Sequence, residues 1–354
     1  MVFGDLVLGS AFRNDGLARA VLGDVTLVPV SLTGLREVPS GAVCGHVPED
    51  GATCDALMCP QLVGEGGARL DWLMAVMGLV PAAVSAGQGR VVAYVPKTSP
   101  RPQVRVDPGV LGEAMSELMA CKGRFSPSAS FARLDQILVR AASRHRARTA
   151  PAVPAIDAAA QVAQTRHPYM NYFTLVEQDI AFPRFDGTLS STVTRAAFVS
   201  GDAVTVLPYD PPRDRVLMIE QFRFGPWLRG SGNPWCIEAI AGRIDPGETP
   251  EQAARREAVE EAGLTLGRFH SVGNYYPSPG AVTEYLYSYV AEADLPDGCE
   301  GLGGVEGEHE DIRSMIWSFD ELMHAVRTGR LDNGPALMSA LWLQAHRTRL
   351  QTGA

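Results

Sequence analysis

Apolar and polar positions follow two different patterns along this chain. Up to about residue 105 the apolar residues come in short runs rich in Val, Gly and Leu, interrupted by Gly and Pro. Such runs predict strands separated by turns. Val2–Gly9 reads as a strand entering a glycine loop, and Val25–Leu32, Ala42–Pro48 and Arg90–Pro96 read as further strands. Leu17–Leu22 fits a short helix, and Gly67–Met74 begins another. The longest apolar run, Leu73–Ala86, is too short to span a bilayer and contains Pro81. Val110–Cys121 and Ser130–Ser143 have helical periodicity. The basic run Arg140–Thr149 reads as a solvated helix end, with its cations near the helix C-terminus.

Thr149–Ala155, TAPAVPA, has the composition of a linker. Asp157–Thr165 predicts a short helix leading into the second part. From Tyr169 the pattern turns to strands: Tyr172–Phe182, Val193–Val199 and Ala203–Tyr209. Asp210–Asp214, DPPRD, reads as a hairpin turn into a returning strand, Val216–Arg223. A single strand, Trp235–Ala241, follows. Phe269–Tyr276 and Glu284–Glu292 form a later strand pair, and Trp317–Val326 reads as strand into helix. The terminal helix Pro335–Leu350 carries an apolar stripe of Leu337, Met338, Leu341, Trp342 and Ala345, expected to face the core. The division is therefore an N-terminal domain at 1–148, a linker at 149–160 and a second domain at 161–354.

The chemistry concentrates in Gly242–Leu264, GRIDPGETPEQAARREAVEEAGL. Thr249 reads as an N-cap, Pro250 as the first helical residue and Gln252 as the partner in a capping box, while Gly263 stops the helix. On that helix Glu257, Glu260 and Glu261 fall at i, i+3 and i+4 and share one face. Like charges at this spacing destabilise a helix by roughly 0.2–0.5 kcal/mol per pair. A cation that neutralises them removes the cost.

Gly242, Glu248, Arg256, Glu257, Glu260, Glu261, Gly263 and Leu264 match the pattern G-x5-E-x7-R-E-U-x-E-E-x-G-U, with U a bulky apolar residue; Ala258 is smaller than the first U position usually holds. The segment resembles the Nudix box. That resemblance implies an α/β/α sandwich with a mixed sheet for the second domain and hydrolysis of a diphosphate assisted by Mg²⁺, with Mn²⁺ as a substitute. It assigns metal binding to Glu257, Glu260, Glu261 and the backbone carbonyl of Ala241. Arg256 would orient the glutamates through ion pairs and Glu248 would brace the loop.

Features around the box resemble bacterial ADP-ribose pyrophosphatases: VLPYDPPRDRVLMIEQFRFG, the Ser278–Gly280 turn between Pro277 and Glu284, GVEGEHEDI, and the tail GRLDNGPALMSALWLQAH. By composition Gly301–Gly307, with Glu306 in it and Glu308 and Glu310 just after it, is an acidic surface loop. Set against the subfamily's E-x-E-D-I run, Glu308 becomes the general base and Glu310 a metal ligand. Arg223 is the candidate for bidentate phosphate contact. Arg195 and Phe173 are candidates for the adenosine half, from a segment the family swaps across a homodimer. Glu284 is a candidate for the ribose or for a metal. The expected reaction is cleavage of ADP-ribose to AMP and ribose 5-phosphate. Other nucleoside diphosphate sugars are the alternative substrates, and a non-catalytic nucleotide-binding regulator is the alternative of a different class.

The N-terminal domain resembles a degenerate γ-glutamylcyclotransferase-like domain, a small α+β fold. Phe3-Gly4-Asp5-Leu6 stands for that family's Y-G-[TS]-L, and Leu70-Asp71-Trp72-Leu73-Met74 for its L-D-x-Y-E. Met74 replaces the acid, and a thioether moves no proton, so loss of cyclotransferase activity is expected. The whole chain is thus expected to be α+β.

The remaining numbers narrow the class. Of 354 residues 46% are hydrophobic and 20% charged, as in ordinary globular proteins, and the net charge of −9 argues against nucleic acid or anionic membrane as partners. The six cysteines form no CxxC pair and no basic n-region precedes the first apolar residues, so free thiols and a cytoplasmic location are expected.

Overall fold

The computed structural model describes residues 6–40, 42–59, 64–86, 89–98, 103–150, 160–304 and 310–352. Phe3, Gly4 and Asp5, most of the expected linker, and Glu306 and Glu308 lie outside the described residues. The chain divides into two compact units, Met1–Ala196 and Ala197–Ala354.

The first unit contains β1 (Leu6–Leu8), α1 (Asp15–Leu22), β2 (Val28–Ser40), β3 (Val43–Cys59), α2 (Gly64–Val76), β4 (Leu79–Ala86), β5 (Gly89–Pro96), α3 (Pro108–Cys121), α4 (Pro127–Phe131), α5 (Leu134–Thr149), β6 (Gln161–Met170), β7 (Thr174–Ala181) and most of β8 (Val193–Val199). Its five-stranded sheet runs β2-β3-β1-β5-β4, with β1 and β5 parallel. The apolar run Leu73–Ala86 divides between the end of α2 and β4. Pro81 is tolerated because β4 is an edge strand.

Three expectations need correction here. Gln161–Met170 is a strand, not part of a helix: it pairs antiparallel with β7, where Arg166 donates to Glu177 at 2.6 Å and to both oxygens of Asp179 at 2.6 and 2.7 Å. The basic run on α5 is not simply solvated. Arg140 is only 4% exposed and forms a 2.8 Å ion pair with Glu117, which Arg144 also contacts at 2.8 Å. A buried carboxylate needs such partners, and the cations are spent on it. The helix expected at Ser130–Ser143 is two pieces, α4 and α5.

The second unit contains β9 (Ala203–Asp210), β10 (Arg215–Phe222), α6 (Phe224–Arg229), β11 (Trp235–Glu238), β12 (Ile240–Arg243), α7 (Pro250–Ala262), β13 (Phe269–Tyr275), β14 (Leu286–Glu292), β15 (Leu302–Gly303), β16 (Ile312–Ser318), α8 (Phe319–Thr328) and α9 (Gly334–Thr352). The mixed sheet runs β13-β14-β9-β10-β16-β15, with β9 and β14 parallel. Val216, Leu217, Met218 and Ile219 are all fully buried because helices cover both faces. Leu217 and Ile219 pack with Ala253, Ala254 and Ala258 of α7. Val216 and Met218 pack with residues of α8 and α9. The result is a three-layer α/β/α arrangement.

The segment expected to be one strand is two. β11 pairs with β10 and β12 pairs with β9, so the chain changes neighbours at Ala239. This crossing delivers Gly242 to the start of the acidic loop. The α9 stripe is also corrected: Met338 is 43% and Leu341 50% exposed, whereas Ala336, Ser339, Ala340 and Leu343 face the core. No helix among the described residues is long and apolar enough to cross a membrane.

Candidate active site

Helix α7 is fixed at both ends by local chemistry. The Thr249 side chain accepts from the Gln252 N–H at 3.2 Å and the Gln252 side chain accepts from the Thr249 N–H at 2.8 Å, forming a capping box. Gly263 ends the helix in the left-handed region at φ 62°. The face carrying Ala253, Ala254 and Ala258 is buried on the sheet. Small residues there let the helix approach closely, and Glu257 and Glu261 are carried inward with it.

Glu261 is 2% exposed, and its Oε2 accepts from the Ala241 N–H at 3.3 Å. Burial pushes its carboxyl up to about 9, reinforced by the charge of Glu257 and then, after the opposing Ala241 hydrogen bond, by that of Glu310. Glu257 is pushed up to about 7, again chiefly by burial, although Arg256 opposes the shift. Gly242 lies directly against it: a Cβ there would fall on the Glu257 carboxylate. A side chain there would displace the Glu257 carboxylate from the position in which Arg256 holds it.

Arg256 organises the acids. Its Nε donates to Glu248 Oε1 at 3.0 Å, Nη1 to Glu257 at 2.7 Å and Glu260 at 3.0 Å, and Nη2 to the Arg243 carbonyl at 2.9 Å and Glu248 Oε2 at 3.1 Å. Glu248 also accepts from the Asp245 N–H at 3.1 Å, which closes the loop on itself. Burial would raise Glu248, but the Arg256 and Asp245 hydrogen bonds outweigh it and hold the carboxyl low.

Arg223 follows β10 and donates to Glu238 Oε2 at 3.0 and 2.7 Å. It lies within electrostatic reach of Glu261. Glu284 accepts from Arg243 Nη1 at 3.2 Å, and that guanidinium also donates to the Gly201 carbonyl at 2.7 Å and to Ser200. Glu238 and Arg243 were not singled out in the sequence. Both flank the acidic loop, and the clue was an ionisable residue in each of two short strands that otherwise read as core. Phe173 and Arg195 belong to the first unit. Phe173 packs edge-to-face on Tyr172 at 4.7 Å, and Arg195 donates to the Thr194 carbonyl at 3.1 Å.

Among the described residues, no three Asp, Glu, His or Cys side chains are gathered in coordinating geometry. Arg256 engages Glu260 and one oxygen of Glu257. The donor chemistry nevertheless fits a hard divalent cation. The donors are carboxylate oxygens, Glu261 is buried and Glu257 half-buried, and removal from water, reinforced by neighbouring carboxylates, makes both groups resist ionisation.

The NUDIX domain model matches residues 199–338. The ADP-ribose pyrophosphatase of Escherichia coli (strain K12) is 37% identical over 183 residues, which are 52% of this chain and 87% of that protein. The chain belongs to the Nudix family. A second relative, the ADP-ribose pyrophosphatase of Haemophilus influenzae, is 33% identical over 185 residues, covering 52% of this chain and 85% of that protein. The GDP-mannose pyrophosphatase of an Enterobacter strain is 32% identical over 174 residues, covering 49% of this chain and 89% of that protein. The box, α7 and the mixed sheet therefore form the Nudix part of this chain.

Proposed function

We propose that this Nudix protein hydrolyses the diphosphate of ADP-ribose, releasing AMP and ribose 5-phosphate, with Mg²⁺ as the metal. The observation that carries the reading is the pair Glu257 and Glu261, one turn apart on α7, the second buried and the first half-buried, with Arg256 clamping the surrounding acids. The ADP-ribose pyrophosphatases similar to this chain support the substrate. When bound, Mg²⁺ would neutralise diphosphate charge and polarise phosphorus towards attack. Glu257 and Glu261 would hold it, with Glu260, Glu310 and the Ala241 carbonyl as further donors. Arg256 would keep Glu257 and Glu260 oriented. Arg223 would turn from Glu238 to a phosphate oxygen, where its fork suits two parallel hydrogen bonds. Glu308 would accept the proton of the attacking water. Glu284 would receive the ribose, and Arg195 and Phe173 the adenosine of a substrate bound by a homodimer.

The GDP-mannose pyrophosphatase relative supports a second reading, hydrolysis of another nucleoside diphosphate sugar by the same groups. The test is AMP release from ADP-ribose with Mg²⁺, run beside GDP-mannose, on wild type and Glu257→Gln. Turnover is expected in the wild type and its near loss in the variant. Tight nucleotide binding with no turnover in the wild type would refute the hydrolase reading and leave a binding regulator. A fragment starting near Asp157 that keeps rate and preference would show that the preceding residues are dispensable for the chemistry.

A further inference from the structure

The acidic stretch before β16 is glycine-rich, and its glycines are not equivalent. Gly301 has open space where a Cβ would point. Gly303 does not: a Cβ would overlap the main-chain carbonyl of Glu261, lying 2.7 Å from its carbon. Gly304 is constrained twice. Its φ is +101°, which L side chains rarely adopt, and a Cβ would stand 2.9 Å from both the Cβ and the carbonyl oxygen of Glu310. Its N–H donates to the Glu260 carbonyl at 3.1 Å. That carbonyl belongs to the last turn of α7, where helices leave acceptors without an intrahelical donor. β15 pairs with β16 through Leu302↔Arg313 and Gly303↔Ile312, so the seat is also tied to the sheet.

We infer that Gly303 and Gly304 are positioning residues: a side-chain-free seat that docks the chain on the last turn of α7 and sets Glu310 against Glu257 and Glu261. The inference rests on the proposed metal-dependent reading of the site and deepens it. The two acidic elements come from separate parts of the chain, and backbone contact is what registers one on the other. The Glu310 charge is felt by both Glu257 and Glu261, consistent with that register. Adding a methyl group at either glycine forces the chain off the helix end and carries Glu310 with it. Rigid backbone, unlike the tip of a long side chain, does not yield cheaply.

The experiment uses the full chain with Gly303→Ala, Gly304→Ala and the control Gly301→Ala. Mn²⁺ affinity is read without substrate from the free-Mn²⁺ electron paramagnetic resonance signal, and kcat and KM for ADP-ribose are measured separately with Mg²⁺. Loss of a group that orients metal ligands typically costs about 10–100-fold in metal affinity or activity. That loss is expected in Gly303→Ala and Gly304→Ala, with kcat falling and KM nearly unchanged, while Gly301→Ala matches the wild type. Should Gly303→Ala fail to fold because it strikes α7, Gly304→Ala decides, since its clash is with Glu310. Mn²⁺ affinities equal to wild type in the folded variants overturn the seat, and so does a wild type that binds no Mn²⁺. A wild type that binds Mn²⁺ but releases no AMP overturns the proposed activity alone.

Discussion

Arg256→Ala is the perturbation whose size the structure constrains best. The guanidinium donates five hydrogen bonds, to three carboxylates and one main-chain carbonyl. Its side chain is 30% exposed. Exposed ion pairs are worth about 0.2–1 kcal/mol, while removing one partner from a buried pair costs about 3–5 kcal/mol. A half-buried hub with several partners falls between these limits, at about 2 kcal/mol. For a unit of this size that lowers the melting temperature by about 4–8 °C. The loss depends on pH. Glu257 lies at about 7 with Arg256 present; at pH 6 it is largely protonated and gains little from the cation, whereas at pH 8.5 it is ionised and left unpaired. The destabilisation must therefore be larger at pH 8.5 than at pH 6. Mg²⁺ must offset part of it, because a divalent cation also neutralises the cluster. Tryptophan fluorescence suits the assay, since Trp227, Trp235, Trp317 and Trp342 all lie in the second unit. An unchanged melt at both pH values, or a loss that Mg²⁺ leaves untouched, would refute Arg256 as the hub of the acids.

Further predictions follow from the same groups. Glu261 lies at about 9 and Glu257 at about 7 in the absence of a metal ion, so both carry protons near neutral pH that a metal must displace. Mg²⁺ binding at pH 7 should release protons, seen by calorimetry in buffers of different ionisation heat, and affinity should tighten as pH rises from 7 to 9; pH-independent affinity would contradict this. Glu308→Gln should lower kcat by about 10²–10⁴-fold with KM little changed; an unaltered kcat would remove it as the base. In the first unit His46 is 1% exposed with neither ring nitrogen hydrogen-bonded, and burial lowers its pKa from 6.5 despite the charge of Glu37. The unfolded chain then takes up a proton that the folded chain refuses, so stability should fall as pH drops below 6.5. His46→Phe should flatten that dependence in denaturant titrations at pH 5.5 and 7.5; an identical slope in both proteins would show His46 is not its source.

Much of the second unit was legible because its chemistry is local. A capping box, the helix stop at Gly263 and acids at i, i+3 and i+4 are all written within Gly242–Leu264, and none needs a distant partner to be recognised. What was not legible depends on contacts between remote segments. The Ala- and Gln-containing run around Gln161 has acceptable helix formers, and only pairing with Glu177 and Asp179 on β7 makes it a strand. Helix α9 is apolar on more than one side, so periodicity cannot choose the buried face. Packing chooses it: Ala336, Ser339, Ala340 and Leu343 go inward, with Ser339 lying 3.4 Å from Ser288 of β14, while Met338 and Leu341 stay outside. Leu343 goes inward and Leu341 outward although they are the same residue, so position against the sheet, not hydrophobicity, settled that face. Gly303 and Gly304 likewise owe their role to a remote contact. In the sequence they read as loop composition, but beside the carbonyls of Glu260 and Glu261 they are the residues small enough to let two acidic segments meet.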